Sequence, residues 1–281
     1  MKTRTPPAVT AHAARTVQRR RSGGTASEER DDLAVEEPLE IRVEGRPVAV
    51  AMRTPGHDEE LVAGFLLTEG VVARKEDIRS IAPVAAKRGG GVEPNIVEVK
   101  LARPETVDFA RLTRHVFTAS SCGLCGKATI AAVLAKNPPL GPDEGPRVAA
   151  GTLARLPEIL AAAQTTFQRT GGLHATGLFT AEGKLLVLRE DVGRHNAVDK
   201  VIGHLLLHGG IDPGVVVLLV SGRVAFEIVQ KALAARIAFI AAISAPTSLA
   251  VDFARTGGQT LVGFLRDGRM NIYAGADRVL K

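Results

Sequence analysis

The 281-residue sequence contains no tryptophan, one tyrosine and nine phenylalanines. Its core must be built from Val, Leu, Ile and Ala, and it lacks the aromatic platforms on which proteins stack single-stranded nucleic acid. Cysteine is nearly absent: Cys122 and Cys125 are the only two. A secreted protein stapled by disulfides would carry more of them, at wider spacing. No apolar run approaches the roughly 20 residues of a membrane span. The longest, 215–220 and 237–243, fit buried strands. Arg19-Arg20-Arg21 precedes small polar and acidic residues rather than an apolar stretch, so it does not read as an export signal. A close cysteine pair in an otherwise cysteine-free chain points to reactive or metal-binding thiols in a reducing compartment, and the expected location is the cytoplasm.

What is present is 45% hydrophobic and 23% charged, as in ordinary globular proteins. The net charge of +6 is unevenly placed. Residues 1–30 carry seven Lys or Arg against Glu28 and Glu29, which leaves about +1 for the remaining 251. The basic character belongs to a tail, so the folded body gives no electrostatic reason to bind nucleic acid.

Residues 1–35 hold few large apolar side chains, and a disordered basic tail is expected there. A small α+β domain is expected over 36–117. Leu39, Ile41 and Val43 alternate with polar residues, 44–47 turn the chain, and Val48, Val50 and Met52 alternate again, as in a hairpin. Asp58 is placed to cap a helix that runs to about Glu69 and stops at Gly70. A strand follows over 95–101 and a short helix from Pro104 to about His115. From 118 to 281 the pattern becomes α/β. Helices are expected over 128–136, 152–168, 195–207, 225–235 and 248–255. Strands are expected over 173–180, 185–189, 215–220 and 237–243, with a closing hairpin around Asp267-Gly268. Continuous apolar strands between helices imply a sheet covered on both faces, hence a three-layer α/β domain. There is no internal repeat.

The chemistry concentrates at Ser121-Cys122-Gly123-Leu124-Cys125-Gly126. A thiolate at a helix N-terminus is stabilised by unpaired backbone N–H groups. Gly123 and Gly126 leave the sulfurs uncrowded, and Lys127 adds positive charge. From the residues alone four readings stand: an inert buried pair, a zinc site completed by a second copy or a distant His, a thioredoxin-like dithiol, and a persulfide carrier. A zinc deaminase is disfavoured, because no His-x-Glu precedes the loop and Ser121 stands where its signature has Pro.

Polar clusters lie in the second half. Asp191, Arg194, His195, Asn196, Asp199 and Lys200 sit between a strand and a helix, where α/β folds place ligands. They could hold an anion, or they could serve as a cap and solvated charges. Ser221-Gly222-Arg223 offers backbone N–H groups, a hydroxyl and a guanidinium suited to phosphate, and 244–248 repeats the arrangement after the next strand. Neither segment is a phosphate loop or a serine-hydrolase elbow.

Seven ordered blocks resemble the formate dehydrogenase accessory sulfurtransferase (FdhD) family. They are GFLLTEG (64–70), FTASSCGLCGK (117–127), TGGLHATG (170–177), EDVGRHNAVDKVIG (190–203), SGRVAFEIVQKAL (221–233), SAPTSLAV (244–251) and LVGFLRDGRMNIY (261–273). The resemblance implies a sulfurtransferase that takes sulfur from a cysteine desulfurase as a cysteine persulfide. It passes that sulfur to the molybdenum of a bis(molybdopterin guanine dinucleotide) cofactor, bound as substrate, before insertion into formate dehydrogenase. It implies no permanently bound cofactor and no metal of its own, a homodimer, and neither a nucleic-acid nor a membrane partner. Cys122 matches the persulfide-carrying cysteine and Cys125 its partner. Phe264, Leu265, Arg266, Asp267, Gly268 and Arg269 match the cofactor-binding stretch, and Ser221, Gly222 and Arg223 are candidate phosphate contacts beside it. The larger domain is expected to be cytidine-deaminase-like without its zinc. Two departures stand out: Ala225 where the family often has Ser, and Arg236-Ile237-Ala238 where it has a Gly-Ile-Pro-like stretch.

Overall fold

A computed structural model describes residues 10–85, 92–109 and 130–281. The first surprise is at the amino end. Residues expected to be disordered form an antiparallel hairpin, β1 (His12–Arg20) with β2 (Ala26–Ala34). Its strands have little apolar alternation, which is why it escaped the pattern. Charge complementarity replaces it: Arg15 faces Asp31, Arg19 pairs with Glu29 at 2.8 Å, and Gly23 turns the chain at φ 76°. Such exposed pairs hold little energy on their own. The hairpin is also fastened sideways, by Arg169 to Asp32 at 2.7 Å.

A four-stranded sheet follows, in the order β4 (Arg46–Arg53), β3 (Glu37–Val43), β6 (Val92–Leu101), β5 (Ile78–Ala85). The β3–β4 turn uses Glu44 and Gly45 at φ 50° and 77°, the pairing that matches the twist of a hairpin. Leu39, Ile41, Val43, Val97 and Val99 are buried beneath α1 (Asp58–Thr68). The N-cap of α1 is His57, not Asp58. Asp58 is instead taken by Arg53, which is almost fully buried and grips both carboxylate oxygens at 3.0 and 2.9 Å. Of the helix expected from Pro104 to about His115, the described residues show a 3-10 turn, Pro104–Thr106, and helical backbone at Phe109, and the rest lies outside them.

The second half holds a six-stranded mixed sheet. Its order is β13 (Arg269–Ala274), β12 (Thr260–Arg266), β11 (Phe239–Ala242), β10 (Val217–Val220), β8 (His174–Phe179), β9 (Leu185–Asp191). Strands β10, β11 and β12 are parallel, and every residue of β10 and β11 is buried. The sheet is covered on both faces. On one, Leu218, Val220, Ile240 and Leu261 join a cluster with α5 (Arg194–His208), α6 (Phe226–Ala234) and α7 (Ser248–Thr256). Val133 of α2 (Ile130–Lys136) is buried in the same cluster. On the other face, Val217, Leu219, Phe239 and Val262 pack with Leu153, Leu156 and Leu160 of α3 (Ala150–Ala163). The single helix expected over 152–168 is two, α3 and α4 (Thr165–Thr170), broken at Gln164. A short parallel pair, β7 (Val148–Ala149) with β14 (Val279–Leu280), closes the chain end.

The two sheets are joined by α1 and α5, which cross antiparallel with backbones nearly touching. A Cβ on Gly64 would lie 1.9 Å from the Asp199 carbonyl oxygen, and one on Gly203 would lie 1.8 Å from that of Glu60. Only glycine fits at this crossing. The family departures also become intelligible. Arg236 adopts φ 59°, where glycine is at ease and arginine is strained. Its guanidinium compensates by binding Glu144 bidentately at 2.8 and 2.9 Å and the Pro138 carbonyl at 2.7 Å. Ala225 is the N-cap of α6 and offers no side-chain acceptor.

Two outcomes follow. Gly64→Ala should lose about 3 kcal/mol or more, the upper range for overpacking, read as a lower denaturant midpoint in chemical unfolding. Ala225→Ser should gain about 1 kcal/mol in the same measurement by capping α6.

Candidate functional site

Strand direction brings the predicted polar segments together. Strands β9, β10, β11 and β12 end, and β8 begins, on one edge of the sheet. Asp191, Ser221, Ser244 and Arg266 therefore lie along the edge where α/β sheets bind ligands. The loops are stitched to one another. The Ala175 N–H donates to the Ser221 hydroxyl and the Ser221 N–H to the Ala175 carbonyl, both at 2.9 Å. The Val224 N–H donates to the Ala245 carbonyl at 3.1 Å, and the Phe264 N–H to that of Ser244, also at 3.1 Å.

The 264–269 hairpin has an unusual backbone. Phe264 sits at φ 51° within a bulge of β12, a costly conformation for an aromatic residue and one that clusters at functional sites. The bulge leaves Phe264 half-buried, while Leu265 turns fully into the core. The Arg266 guanidinium lies 5.6 Å from the Phe264 ring centre. Asp267 and Gly268, at φ 53° and 68°, form the tight turn. Arg266 and Arg269 face each other across it, and both are exposed. Arg223 is exposed as well, and none of the three arginines has a carboxylate partner among the described residues. Three unpaired guanidiniums on one edge form a field suited to a polyanion.

The cluster over 190–200 divides into two uses. Asp191 and Lys200 are buried and pair at 2.7 Å. They clamp Thr54 of the small domain. Its N–H donates to Asp191 at 3.2 Å, its carbonyl accepts from Lys200 at 2.8 Å, and its hydroxyl accepts from the Val192 N–H at 3.1 Å. Asn196 donates to Asp191 at 2.9 Å and to the Met52 carbonyl at 2.7 Å. Asp199 pairs with Lys231 at 2.8 Å, and Thr68 donates to the same carboxylate at 3.1 Å. Burial raises the Asp199 carboxyl above its usual range, partly offset by Lys231. These four residues join the domains instead of facing a ligand.

Arg194 and His195 are different. The buried Arg194 Nε and His195 Nε2 have no hydrogen-bond partner among the described residues. A Cβ on Gly222 would stand 3.2 Å from His174 Nδ1 and 3.7 Å from Arg194 Cδ, so glycine here keeps space beside both side chains. Burial, with Lys231 and Arg194 nearby, pushes His195 down to about 4; burial and Arg194 also lower His174. Both rings are neutral at neutral pH, so each offers one donor and one acceptor nitrogen. Orphaned buried polar atoms at an arginine-rich edge are what a ligand's polar groups would satisfy.

Cys122 and Cys125 lie outside the described residues. The flanks are firm: Phe109 and Val107 pack on the small domain's core, and Val133 is buried in the large one. Grooves elsewhere do not coincide with this edge. One of about 510 Å³ is lined by Gly70, Lys136, Leu233 and Arg236 at the far end of α6. Another of about 280 Å³ lies by Gly258 and Arg278, before β12. Thr54, Thr68 and Lys231 were not singled out from sequence, since nothing local marks a residue whose partners lie 32 to 163 positions away. No helix among the described residues is long and apolar enough to cross a membrane.

A histidine that is neutral when folded makes folding oppose protonation. Stability is therefore complete above the unfolded-state value near 6.5 and is lost as pH falls through the folded value near 4. His195→Gln should flatten the decline in unfolding midpoint between pH 6.5 and 4, and the His195 ring should titrate near 4 by NMR.

Comparison with known proteins shows which family the chain resembles. The family model described as the FdhD/NarQ family matches residues 34–280. A "Sulfur carrier protein FdhD" of Streptomyces coelicolor is 51% identical over 264 residues, covering 91% of this chain and 92% of that one. One of Mycobacterium tuberculosis is 52% identical over 256 residues, covering 89% and 92%. A crystal structure from Desulfotalea psychrophila, described as that of a formate dehydrogenase accessory protein, superposes with a TM-score of 0.74 at 25% identity. It covers 96% of this chain and 100% of that one. The chain belongs to the FdhD/NarQ family.

Proposed function

We propose that the protein is a sulfur carrier that holds sulfur as a persulfide on Cys122 and delivers it to a molybdenum cofactor destined for formate dehydrogenase. Family membership supports the sulfur-carrier role, and the observation that carries the delivery step is the edge of unpaired arginines. Arg223, Arg266 and Arg269 are exposed cations with no carboxylate partner among the described residues, suited to pyrophosphate. The substrate they fit is the bis(molybdopterin guanine dinucleotide) cofactor. Phe264 and the backbone of the 266–269 turn would flank a guanine, and Ser221-Gly222 would lie against phosphate. The helix–sheet–helix layering of the larger domain is compatible with a cytidine-deaminase-like arrangement.

The chemistry is a thiol–persulfide exchange. The Cys122 thiolate attacks the outer sulfur of a persulfide on a cysteine desulfurase. The S–S bond of the donor breaks, the donor leaves as a thiolate, and Cys122 becomes Cys122–S–SH with no net change of oxidation state. Cys125 is placed three residues on to act as its partner. The protein works in the cytoplasm as a homodimer, with the desulfurase as donor and formate dehydrogenase as client.

Incubation with a desulfurase and cysteine should add one or more sulfur atoms to the wild type by mass spectrometry, and Cys122→Ala should take up none. In complementation of formate dehydrogenase maturation, Cys122→Ala and Arg269→Ala should both fail. Full maturation by Cys122→Ala beside failure of Arg269→Ala would replace the carrier with a cofactor-binding chaperone.

A further inference from the structure

Three of the seven histidines gather on one carboxylate, at the opposite end of α5 from Arg194 and His195. Glu60 lies in the first turn of α1, while His204 and His208 are one turn apart in the last turns of α5. Glu60 Oε1 is 2.9 Å from His204 Nδ1 and 3.3 Å from His208 Nε2. One donor atom from each of these three residues lies within 4.8 Å of the others. His57 Nδ1 stands 3.4 Å from the second oxygen, Glu60 Oε2. His57 and His208 are about half exposed, so the cluster is open to ions from solvent.

We propose that Glu60, His204 and His208 form a binding site for one divalent first-row transition-metal ion of the zinc class, with His57 or water as the fourth ligand. Zinc takes His nitrogen at about 2.0–2.1 Å and carboxylate oxygen at about 2.0–2.2 Å. Tetrahedral ligands at those lengths stand about 3.3 Å apart, and the two contacts to Glu60 Oε1 already fall at 2.9 and 3.3 Å, with His57 at 3.4 Å from Oε2. Two histidines at i and i+4 on one helix face, with a carboxylate from a neighbouring helix, are a recurrent ligand set for zinc.

Hydrogen bonding around His204 gives a second reason. Its Nδ1 is 2.9 Å from Glu60 Oε1 and 3.1 Å from Arg189 Nη2. Arginine can only donate, so the contact to Arg189 requires a bare Nδ1, whereas the contact to the carboxylate requires a protonated one. One nitrogen cannot meet both demands. With Nδ1 bare, that nitrogen, the carboxylate and His208 Nε2 offer three ligand atoms, and a bound cation would displace the Arg189 contact to Nδ1. Arg189 keeps its charge-assisted contacts to Glu60 and fixes the carboxylate's orientation, as groups behind metal ligands do. Its positive charge opposes the ion, so binding is weaker than in a four-ligand structural site. The ion would lie across the α1–α5 seam and tie the two domains together.

The test uses untagged full-length protein carrying Cys122→Ser and Cys125→Ser, so that no thiolate competes. Titration with zinc chloride should show one equivalent bound and a higher unfolding temperature. Cobalt should give the visible spectrum of a nitrogen–oxygen site. His208→Ala, an exposed substitution that leaves the fold in place, and His204→Ala should each weaken binding about tenfold or more and remove the thermal shift. Failure of the parent to bind zinc overturns the proposal, as does binding that both histidine variants leave unchanged. Neither result bears on sulfur transfer at Cys122.

Discussion

The structure depends on one contact, the backbone crossing of α1 and α5 at Gly64 and Gly203. Two helices from different sheets approach too closely for any side chain to stand between them. That proximity lets buried charges on one domain find partners on the other. Asp191 and Lys200 reach Thr54, and Asp199 and Lys231 meet at Thr68. Removing one member of such a pair costs about 3–5 kcal/mol, because the survivor keeps its desolvation without its partner. Apolar surfaces would join the domains with less risk. The polar contacts instead favour one register of the seam, since a one-turn slip would take Thr54 and Thr68 away from the buried charges and part Glu60 from Arg189.

That register has a consequence at the other end of α5. The same helix that meets α1 through Asp199 and Gly203 begins with Arg194 and His195 beside the sheet edge. Arg194 stands beside Gly222, in the loop after β10, and the start of β8 is next to the same glycine. Among the described residues three buried side-chain atoms lack a hydrogen-bond partner; one is Gln259 Oε1 before β12, and the other two are here. They sit where the arginines are unpaired and where Phe264 holds a strained backbone. Strain, unsatisfied hydrogen bonds and unopposed charge mark the same edge by three independent physical criteria.

Much of this was legible in the sequence, and the failures have definite causes. The periodic strands and helices of the second half were readable because continuous burial leaves continuous apolar runs, as in β10 and β11. The Asp267-Gly268 turn was readable because few residue pairs tolerate two positive φ angles. Asp58 misled as a cap, because a buried Arg53 out-competed the helix end for its carboxylate. The β1–β2 hairpin was invisible to hydrophobic pattern, since charge pairs and a docking contact from Arg169 order it. The cluster over 190–200 was recognised as a group, but its division was not. Whether a lysine faces solvent or Thr54 depends on a residue 146 positions away. The Ser221 hydroxyl was read as a ligand contact and also ties β10 to β8. The cysteine loop, the strongest chemical signal in the sequence, lies outside the described residues.

The seam also bears on that loop through its ends. Val107 and Phe109 are packed against the small domain's core, and Val133 is buried in the large one. The distance that residues 110–129 must span is therefore set by how the two domains sit against each other, and the α1–α5 crossing sets that. The arginine edge belongs to the large domain alone, while the described residues on either side of 110–129 pack one on each domain. A carrier must bring a reactive sulfur to a bound substrate at a defined separation, because misplacement by an ångström is costly in rate. Among the described residues, the two glycines and the buried pairs beside them hold the two sheets in one arrangement.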